Sequence, residues 1–266
     1  MTFGRAQMAT EFANLGIRLG ATLVVHSSLR SLGPVEGGAE AVVAALTDVI
    51  GATGLIVFPT FTYWSRFFDP DTTPSQTGRI TEVARKWPGA IRSWHPTHSV
   101  AAIGLDAEVL CAMHHAVGPL SLDSPLDRLV GRGGYVLLLG VGHNANSTIH
   151  IGEAHARAPY LDIPFSLESP IEATVATPSG PMDVEIKAGA GCSKAFGAVE
   201  NVLRAHGSVR DGIVGRALVQ LVPSQAVIAA TIEILHADPA RLLCTDPHCY
   251  RCVHARRRLN GEEVTV

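Results

Sequence analysis

The fold is decided by residues 21–33, which read ATLVVHSSLRSLG. The first five of these residues are apolar or β-branched, as in a buried strand. A helix is predicted next, because apolar residues recur at i, i+4, i+7 and i+8; they are Val42, Leu46, Val49 and Ile50. The hydroxyl-rich loop 26–33 therefore joins the carboxyl end of a strand to the amino end of a helix. Open α/β sheets bind ligands at that end of their strands, and free N–H groups there attract phosphate.

Outward from this unit, strand-like and helical patterns alternate along the chain. Strands are predicted at Leu23–His26, Leu55–Pro59, Ser99–Ile103 and Tyr135–Gly140. Helices are predicted at Glu40–Ile50, Ile80–Trp87, Ala107–His115, Pro125–Val130, Ala195–Leu203 and Ser224–His236. Such alternation predicts an α/β fold with a mainly parallel central sheet flanked by helices. Residues 171–186 instead predict an added antiparallel β-hairpin that turns at Pro178-Ser179-Gly180.

The composition favours one globular domain over residues 1–266. Hydrophobic residues make up 47% of the chain, charged residues 17%, and the formal net charge is −3. No basic stripe precedes the last residues, so we expect no nucleic-acid partner. The longest apolar runs, such as Tyr135–Val141, fall far short of the ~20 residues of a membrane span, and no secretory signal is visible. We therefore expect a cytoplasmic protein that does not bind membranes, either a monomer or a homodimer.

A histidine and a glutamate follow the predicted strand at residues 135–140. Ser147 or Thr148 can cap a helix that continues to about Arg157, and His150 and Glu153 share one face of it at i and i+3. A carboxylate beside an imidazole fixes its tautomer and favours its protonated form, as a general base requires. The alternative is that His150 and Glu153 form a surface pair without function. His155 lies on another face of the helix, and we expect no function for it.

The cysteines favour metal binding over a disulfide framework, because no secretory signal accompanies them. Cys249 and Cys252 form a C-x2-C pair typical of structural zinc sites. Cys244 and Cys192 are the candidates for the other two ligands, with His248 or His254 as substitutes, and such a site would fasten the tail at about residues 240–260. A redox pair and uncoordinated thiols are the alternatives.

Other kinds of site find less support in the chain. The cluster His95-Pro96-Thr97-His98-Ser99 has no carboxylate at metal-ligand spacing, so its histidines are candidate substrate contacts or loop residues. No G-x-S-x-G elbow, Walker motif or complete dinucleotide fingerprint occurs. Cys111 lies in an apolar helical pattern and is expected in the core.

Taken in order, the motifs resemble those of the aminoglycoside 3-N-acetyltransferase family. They are residues 25–33 with Gly37-Gly38-Ala39, residues 54–62, 95–104, Ser124-Pro125-Leu126, 138–142 and 146–153. The resemblance covers roughly residues 10 to 165. The C-terminal cysteines resemble those of the apramycin- and gentamicin-modifying branch.

The resemblance implies a fold unrelated to GCN5-like acetyltransferases, with acetyl-CoA as the donor. It implies His150 as the catalytic histidine and Glu153 as its neighbour. It also assigns a coenzyme loop with Ser99 nearby, and the loop consists of His26, Ser27, Ser28, Leu29, Arg30 and Ser31. Acidic and aromatic residues of the long excursion 59–99 are candidate contacts to a cationic substrate, together with Glu153; they are Tyr63, Asp69, Asp71 and Glu82.

We therefore predict an acyltransferase that moves an acetyl group from acetyl-CoA to the 3-amino group of a 2-deoxystreptamine aminoglycoside, which confers antibiotic resistance. Backbone N–H groups of the loop Ser27–Ser28 are candidate oxyanion donors. The alternatives are a CoA-dependent N-acyltransferase for another amine, and a non-catalytic, zinc-containing binding module. Acceptance of aminoglycosides distinguishes the predicted enzyme from the first alternative. Thermal protection by acetyl-CoA distinguishes it from the second.

Overall fold

The computed structural model describes residues 3–189 and 191–264. Its helices are α1 (Arg5–Leu15), α2 (Gly38–Ile50), α3 (Arg79–Ala84), α4 (Ala107–Cys111), α5 (Pro125–Gly131), α6 (Thr148–His155), α7 (Ala198–Ala205), α8 (Ser224–Ala237) and α9 (Tyr250–Leu259). Its strands are β1 (Thr22–Ser27), β2 (Leu55–Pro59), β3 (Phe67–Phe68), β4 (Ile91–Arg92), β5 (Val100–Gly104), β6 (Tyr135–Leu139), β7 (Glu172–Thr177), β8 (Gly180–Glu185), β9 (Arg210–Val214) and β10 (Ala217–Pro223).

A seven-stranded sheet in the order β4-β5-β2-β1-β6-β10-β9 forms the centre of the molecule. Its three middle strands, β2, β1 and β6, are parallel. The outer strands are all added in antiparallel pairings. The predicted α/β fold with parallel strands at its centre is confirmed, and the antiparallel flanks are a feature that the sequence patterns did not reveal.

The sheet separates two hydrophobic layers, because successive side chains of a strand point to opposite faces. In β1, Leu23 and Val25 join the layer formed with α1 and α2, which includes Phe12 and Leu46. Val24, between them, joins the opposite layer with α6 and α8, which includes Ile149. Strand β1 therefore presents apolar side chains to both layers, which explains its continuous apolar sequence.

The predicted hairpin is confirmed as β7 and β8, and β7 also pairs with β3 to form a separate three-stranded sheet. A second hairpin, β9 and β10, was not predicted, although Gly215 with φ 60° at its turn is a signal for one. Helices α1 and α9 were also missed. Helix α4 ends at Cys111, before the predicted His115, and Met113 follows in the left-handed region.

This topology brings three loops to one edge of the sheet. Because β1, β2 and β6 run in the same direction, their carboxyl ends meet there, with Ser27 paired to Leu139. Helix α6 starts a few residues after β6, so its first turns lie beside the loop that follows β1. In the part of the chain that the structure describes, no helix has the length and apolar character to cross a bilayer.

Candidate active site

A cavity of about 240 Å³ lies at this edge of the sheet. Three segments that the sequence analysis singled out meet in its lining: His26 and Ser27 at the end of β1, Pro59 at the end of β2, and His150 on α6. The loop before α6 completes one wall with residues 144–147. Segments far apart in the sequence therefore form one pocket, at the end of the sheet where α/β proteins bind ligands.

His150 and Glu153 form a direct contact below this pocket. Nδ1 of His150 lies 2.6 Å from Oε2 of Glu153, and both side chains are buried. The hydroxyl of Tyr160 donates to the other carboxylate oxygen, Oε1, at 3.2 Å. With its proton on Nδ1, facing the carboxylate, the imidazole has a free lone pair on Nε2. The predicted i, i+3 pair is thus brought together in the form that a general base needs.

An aromatic ring holds His150 from the side. The ring of Phe196 lies edge-on to the imidazole, with 4.7 Å between ring centroids and 64° between planes. Phe196 itself is fully buried. Packing against this ring and the hydrogen bond that Nδ1–H donates to Glu153 restrict the imidazole to one orientation.

Two further histidines line the same pocket and stay neutral. Burial lowers the pKa of His98 to about 3, with a smaller contribution from the neighbouring His150 ring, and Nδ1 of His98 lies 2.9 Å from the Thr97 hydroxyl. Burial also lowers the pKa of His26 to about 3, with a smaller contribution from His143. Nε2 of His26 is buried and has no hydrogen-bond partner in residues 3–189 or 191–264. Each ring therefore offers neutral hydrogen-bonding groups, and no positive charge, near His150.

The predicted coenzyme loop is ordered by its own hydroxyls. The Ser31 hydroxyl lies 2.9 Å from that of Ser28, to which it donates, and Leu29–Leu32 form one turn of 3-10 helix. Gly140, with φ 72°, admits Ser31 closely, since a Cβ there would lie 2.5 Å from that of Ser31. The N–H of Ser28 donates to the Leu139 carbonyl at 2.9 Å and so is not free for an oxyanion, contrary to that expectation.

Ser27 lines the pocket with His26, whereas Leu29 and Arg30 are not part of its lining. Ser99 is fully buried beside β2, where its hydroxyl donates to the Thr60 carbonyl at 2.9 Å and accepts from Arg92. In this position Ser99 supports the wall of the site and has no free hydroxyl for the coenzyme.

Of the predicted substrate contacts in the excursion, Tyr63 lines the pocket and the acidic residues do not. Glu82 is paired with Arg85 and Lys86, which hold its pKa at about 2 against the opposing effect of burial. Asp69 accepts hydrogen bonds from Thr72 and the Asp71 N–H within its own turn. These carboxylates therefore order the excursion.

The four cysteines predicted as metal ligands do come together. The Sγ atoms of Cys192, Cys244, Cys249 and Cys252 all lie within 4.8 Å of one another. Cys249 is half-buried, the other three are buried, and none is in a disulfide. Among the described residues, neither His248 nor His254 belongs to this cluster. The imidazole of His254 stacks on Tyr250 and its Nδ1 bonds to the Tyr250 carbonyl.

Sequence reasoning missed several parts of the site. Asn144, Asn146 and Ser147 line the pocket directly before α6, and their position after a buried strand was a usable signal. Gly191 and Ser193 form another part of the wall. They flank Cys192, and no local pattern ties them to His150, because only the tertiary fold brings them there.

Comparison with known proteins gives matches over most of the chain. A family model described as aminoglycoside 3-N-acetyltransferase matches residues 24–236. Aminoglycoside N(3)-acetyltransferase IV of Salmonella sp is 32% identical over 241 residues, which cover 88% of this chain and 88% of the relative.

Solved structures match over nearly the full length. A histidine-to-alanine mutant of aminoglycoside acetyltransferase AAC(3)-IVa, in complex with a gentamicin, is similar with a TM-score of 0.85 at 30% identity, covering 97% of this chain and 98% of that one. The binary structure of AAC-IIIb with CoASH is similar with a TM-score of 0.79 at 26% identity, covering 89% and 97% of the two chains.

Proposed function

The chain belongs to the aminoglycoside 3-N-acetyltransferase family, and from this premise we propose that it transfers an acetyl group from acetyl-CoA to the 3-amino group of a 2-deoxystreptamine aminoglycoside. The acetylated antibiotic would lose activity, so the protein would confer resistance. The observation that carries the proposal is the buried His150–Glu153 contact of 2.6 Å at the wall of a pocket built from three sheet loops.

The proposed reaction is a direct transfer. The amine nitrogen attacks the thioester carbonyl carbon while Nε2 of His150 takes a proton from the amine. The new C–N bond forms, the C–S bond breaks, and the CoA thiolate leaves with the proton that His150 returns. Glu153 accepts a hydrogen bond from the Nδ1–H of His150 throughout. Its negative charge stabilises the transient imidazolium, as a buried carboxylate does for a general base. Holding both reactants in one cleft supplies much of the rate.

Negative charge develops on the thioester oxygen during the attack and needs hydrogen-bond donors. His98 is our candidate for one donor, because burial keeps its imidazole neutral and it lines the same pocket as His150. The Ser147 hydroxyl, at the start of α6, faces this pocket as well.

The two reactants approach the pocket from different loops in this proposal. The loop His26–Ser31 receives acetyl-CoA, and the binary complex of the relative AAC-IIIb with CoASH supports the coenzyme itself as the donor. The aminoglycoside enters past Tyr63, which lines the pocket, and the gentamicin complex of AAC(3)-IVa supports an aminoglycoside as the acceptor. No carboxylate is among the pocket-lining side chains within residues 3–189 and 191–264. The cationic groups of the substrate are therefore bound outside this cavity or by aromatic and hydroxyl groups.

We also propose that the cysteine cluster holds a structural zinc ion. Zn–S bonds of about 2.3 Å in a tetrahedron place sulfur atoms roughly 3.8 Å apart, and the four Sγ atoms already lie within 4.8 Å. Four thiolates leave no open position for a substrate, so the ion would fasten α9 and the segment around Cys192 to the body and take no part in acetyl transfer.

The test of the acetyl transfer is CoA thiol release from acetyl-CoA with a panel of 2-deoxystreptamine aminoglycosides. Aminoglycoside-dependent release is expected for the wild type and for the matched control His155→Ala, and none above background for His150→Ala, which should still bind CoA. Release with other amines only would move the assignment to a different acceptor. Turnover by His150→Ala equal to that of the wild type would remove His150 as the base.

The zinc proposal is tested separately by metal analysis of the purified full chain. One zinc per chain is expected, together with a marked loss of zinc and of thermal stability in Cys252→Ser. Absence of zinc from protein expressed with zinc in the medium would leave a cluster of free thiols.

A further inference from the structure

Tyr160 is a buried residue that the reaction as proposed does not use directly. Its hydroxyl donates to Oε1 of Glu153, while Oε2 faces His150. The Tyr160 side chain is fully buried and lies in the turn after α6, where the Ala158 N–H bonds to the Glu153 carbonyl. The catalytic carboxylate is therefore held at both oxygens, and its orientation depends on where the Tyr160 ring lies.

Arg251, on α9, lies against that ring. Its guanidinium carbon is 5.9 Å from the centroid of the Tyr160 ring, and Nη1 donates to the Ile163 carbonyl. The residue is only 2% exposed, and Nη2 has no hydrogen-bond partner in the described part of the chain. A buried guanidinium with one unsatisfied nitrogen is costly. The contacts with Tyr160 and Ile163 are therefore among the few that offset the free-energy cost of burying this guanidinium.

The other side of Arg251 contacts the pocket wall. A Cβ on Gly191 would lie 1.9 Å from Nε of Arg251, so glycine is required for this approach. Gly191 and Ser193 line the pocket, and Cys192 lies between them in the cysteine cluster. Five residues after Gly191, Phe196 packs against His150. Arg251 therefore lies between the segment 191–196 and the ring that supports Glu153.

Arg251 is also flanked by two members of the cysteine cluster, Cys249 and Cys252. Its position is consequently fixed by the same residues that fix Cys192 and the pocket wall. A shift of the amino end of α9 would move Tyr160 and Gly191 together, and with them both supports of His150.

We propose that Tyr160 and Arg251 are positioning residues for acetyl transfer, which hold the His150–Glu153 pair and the wall at Gly191 in their reactive arrangement. The proposal rests on the assignment of His150 and Glu153 as the catalytic pair. Arg251 acts through Tyr160 and Gly191, and the cysteine cluster acts through Arg251 and Cys192. Neither positioning residue touches the reacting atoms.

The first test is Tyr160→Phe in the full, metal-replete chain, with Tyr135→Phe as the matched control. The value of kcat should fall about ten- to a hundredfold, as for a small misplacement of catalytic groups, and both KM values should stay close to those of the wild type. Without the hydrogen bond from Tyr160, the carboxylate of Glu153 interacts more strongly with His150 and stabilises its imidazolium form more. The acidic limb of the pH–kcat profile should therefore move to higher pH, which a purely structural defect would not cause.

The second test is Arg251→Met, with Arg257→Met on the exposed face of the same helix as the control. Lower kcat and a weakened downfield proton NMR signal from the His150 Nδ1–H are expected. Arg251→Lys keeps the charge and loses the planar fork, so it should give an intermediate loss if Arg251→Met does not fold.

Wild-type kcat and an unshifted acidic limb in Tyr160→Phe would overturn the proposal, as would a wild-type kcat in folded Arg251→Met. Those results, combined with an inactive His150→Ala, would leave the proposed function intact. An active His150→Ala would instead contradict the catalytic assignment itself.

Discussion

Helix α6 contributes the histidine of two histidine–carboxylate pairs, which have nearly equal distances and very different surroundings; the carboxylate of the second pair, Asp127, lies on α5. His150 Nδ1 lies 2.6 Å from Glu153 Oε2, with side chains 5% and 3% exposed. His155 Nε2 lies 2.7 Å from Asp127 Oδ1, with side chains 38% and 20% exposed. A short distance therefore does not identify a catalytic pair. Burial does more, because a low local dielectric strengthens the interaction that water screens at the surface.

The two pairs also differ in the nitrogen that is bonded. In the first pair the carboxylate occupies Nδ1, and Nε2 of His150 is left for the pocket. In the second pair the carboxylate occupies Nε2 itself, and His155 is not among the pocket-lining residues. The inner pair has a second donor in Tyr160 on its carboxylate. Together, these features are the reason that we propose proton transfer for the inner pair and a surface contact for the outer one.

The largest expected effect comes from neutralising the inner carboxylate, with neutralisation of the outer carboxylate as its control. Glu153→Gln keeps the size of the side chain but removes the charge that stabilises the imidazolium, so kcat should fall about 10²- to 10⁴-fold. The KM for the aminoglycoside should barely change, because Glu153 does not line the pocket. Asp127→Asn should stay within about twofold of the wild type, as expected for an exposed pair.

Steady-state kinetics of both variants at one pH, with CoA release as the readout, decide between these expectations. Similar losses in the two variants would contradict the distinction by burial.

An intermediate effect is expected on stability at low pH, where buried and exposed histidines also differ. Burial lowers the pKa of His114 to about 3 in the folded protein, whereas an unfolded histidine titrates near 6.5. Between these values the unfolded chain binds the proton and the folded chain does not. Stability is therefore full above about pH 6.5 and falls as the pH drops toward 3, by up to about 1.4 kcal/mol per pH unit for one such group.

Urea denaturation across this pH range measures the slope. His114→Gln should flatten it relative to the wild type, although the variant also loses contacts of the ring with Ser93 and Pro119. The exposed variant His155→Gln is the control for the effect of replacing any imidazole by an amide. An unchanged slope in His114→Gln would show that this imidazole is protonated in the folded protein.

Two parts of the site could be predicted from the sequence alone. The i, i+3 spacing predicted the contact between His150 and Glu153, because helical geometry alone places those side chains together. The four cysteines were predicted as a set from one C-x2-C pair and two isolated thiols, and the fold assembles them. In both cases the chemistry of the side chains limits their possible partners.

What the sequence could not supply is the set of contacts made across the fold. Tyr160 lies seven positions beyond Glu153, but α6 ends at His155, so the helical period does not continue to it; Phe196 lies far along the chain. Glu82 and Asp69 carried the right charge for a cationic substrate, but nearby Arg85 and Thr72 engage them. Each of these partners lies three positions after its carboxylate, so the spacing was a signal that the sequence analysis did not use.

The smallest expected effect is the removal of the outer pair by His155→Ala. Both side chains are partly in water, and holding them together costs side-chain entropy, so the free energy of unfolding should fall by less than about 1 kcal/mol. High salt should erase most of the difference from the wild type, because it screens exposed charges. Urea denaturation at low and high salt measures this, and a salt-independent loss above about 2 kcal/mol would mean that the outer pair stabilises the protein like a buried one.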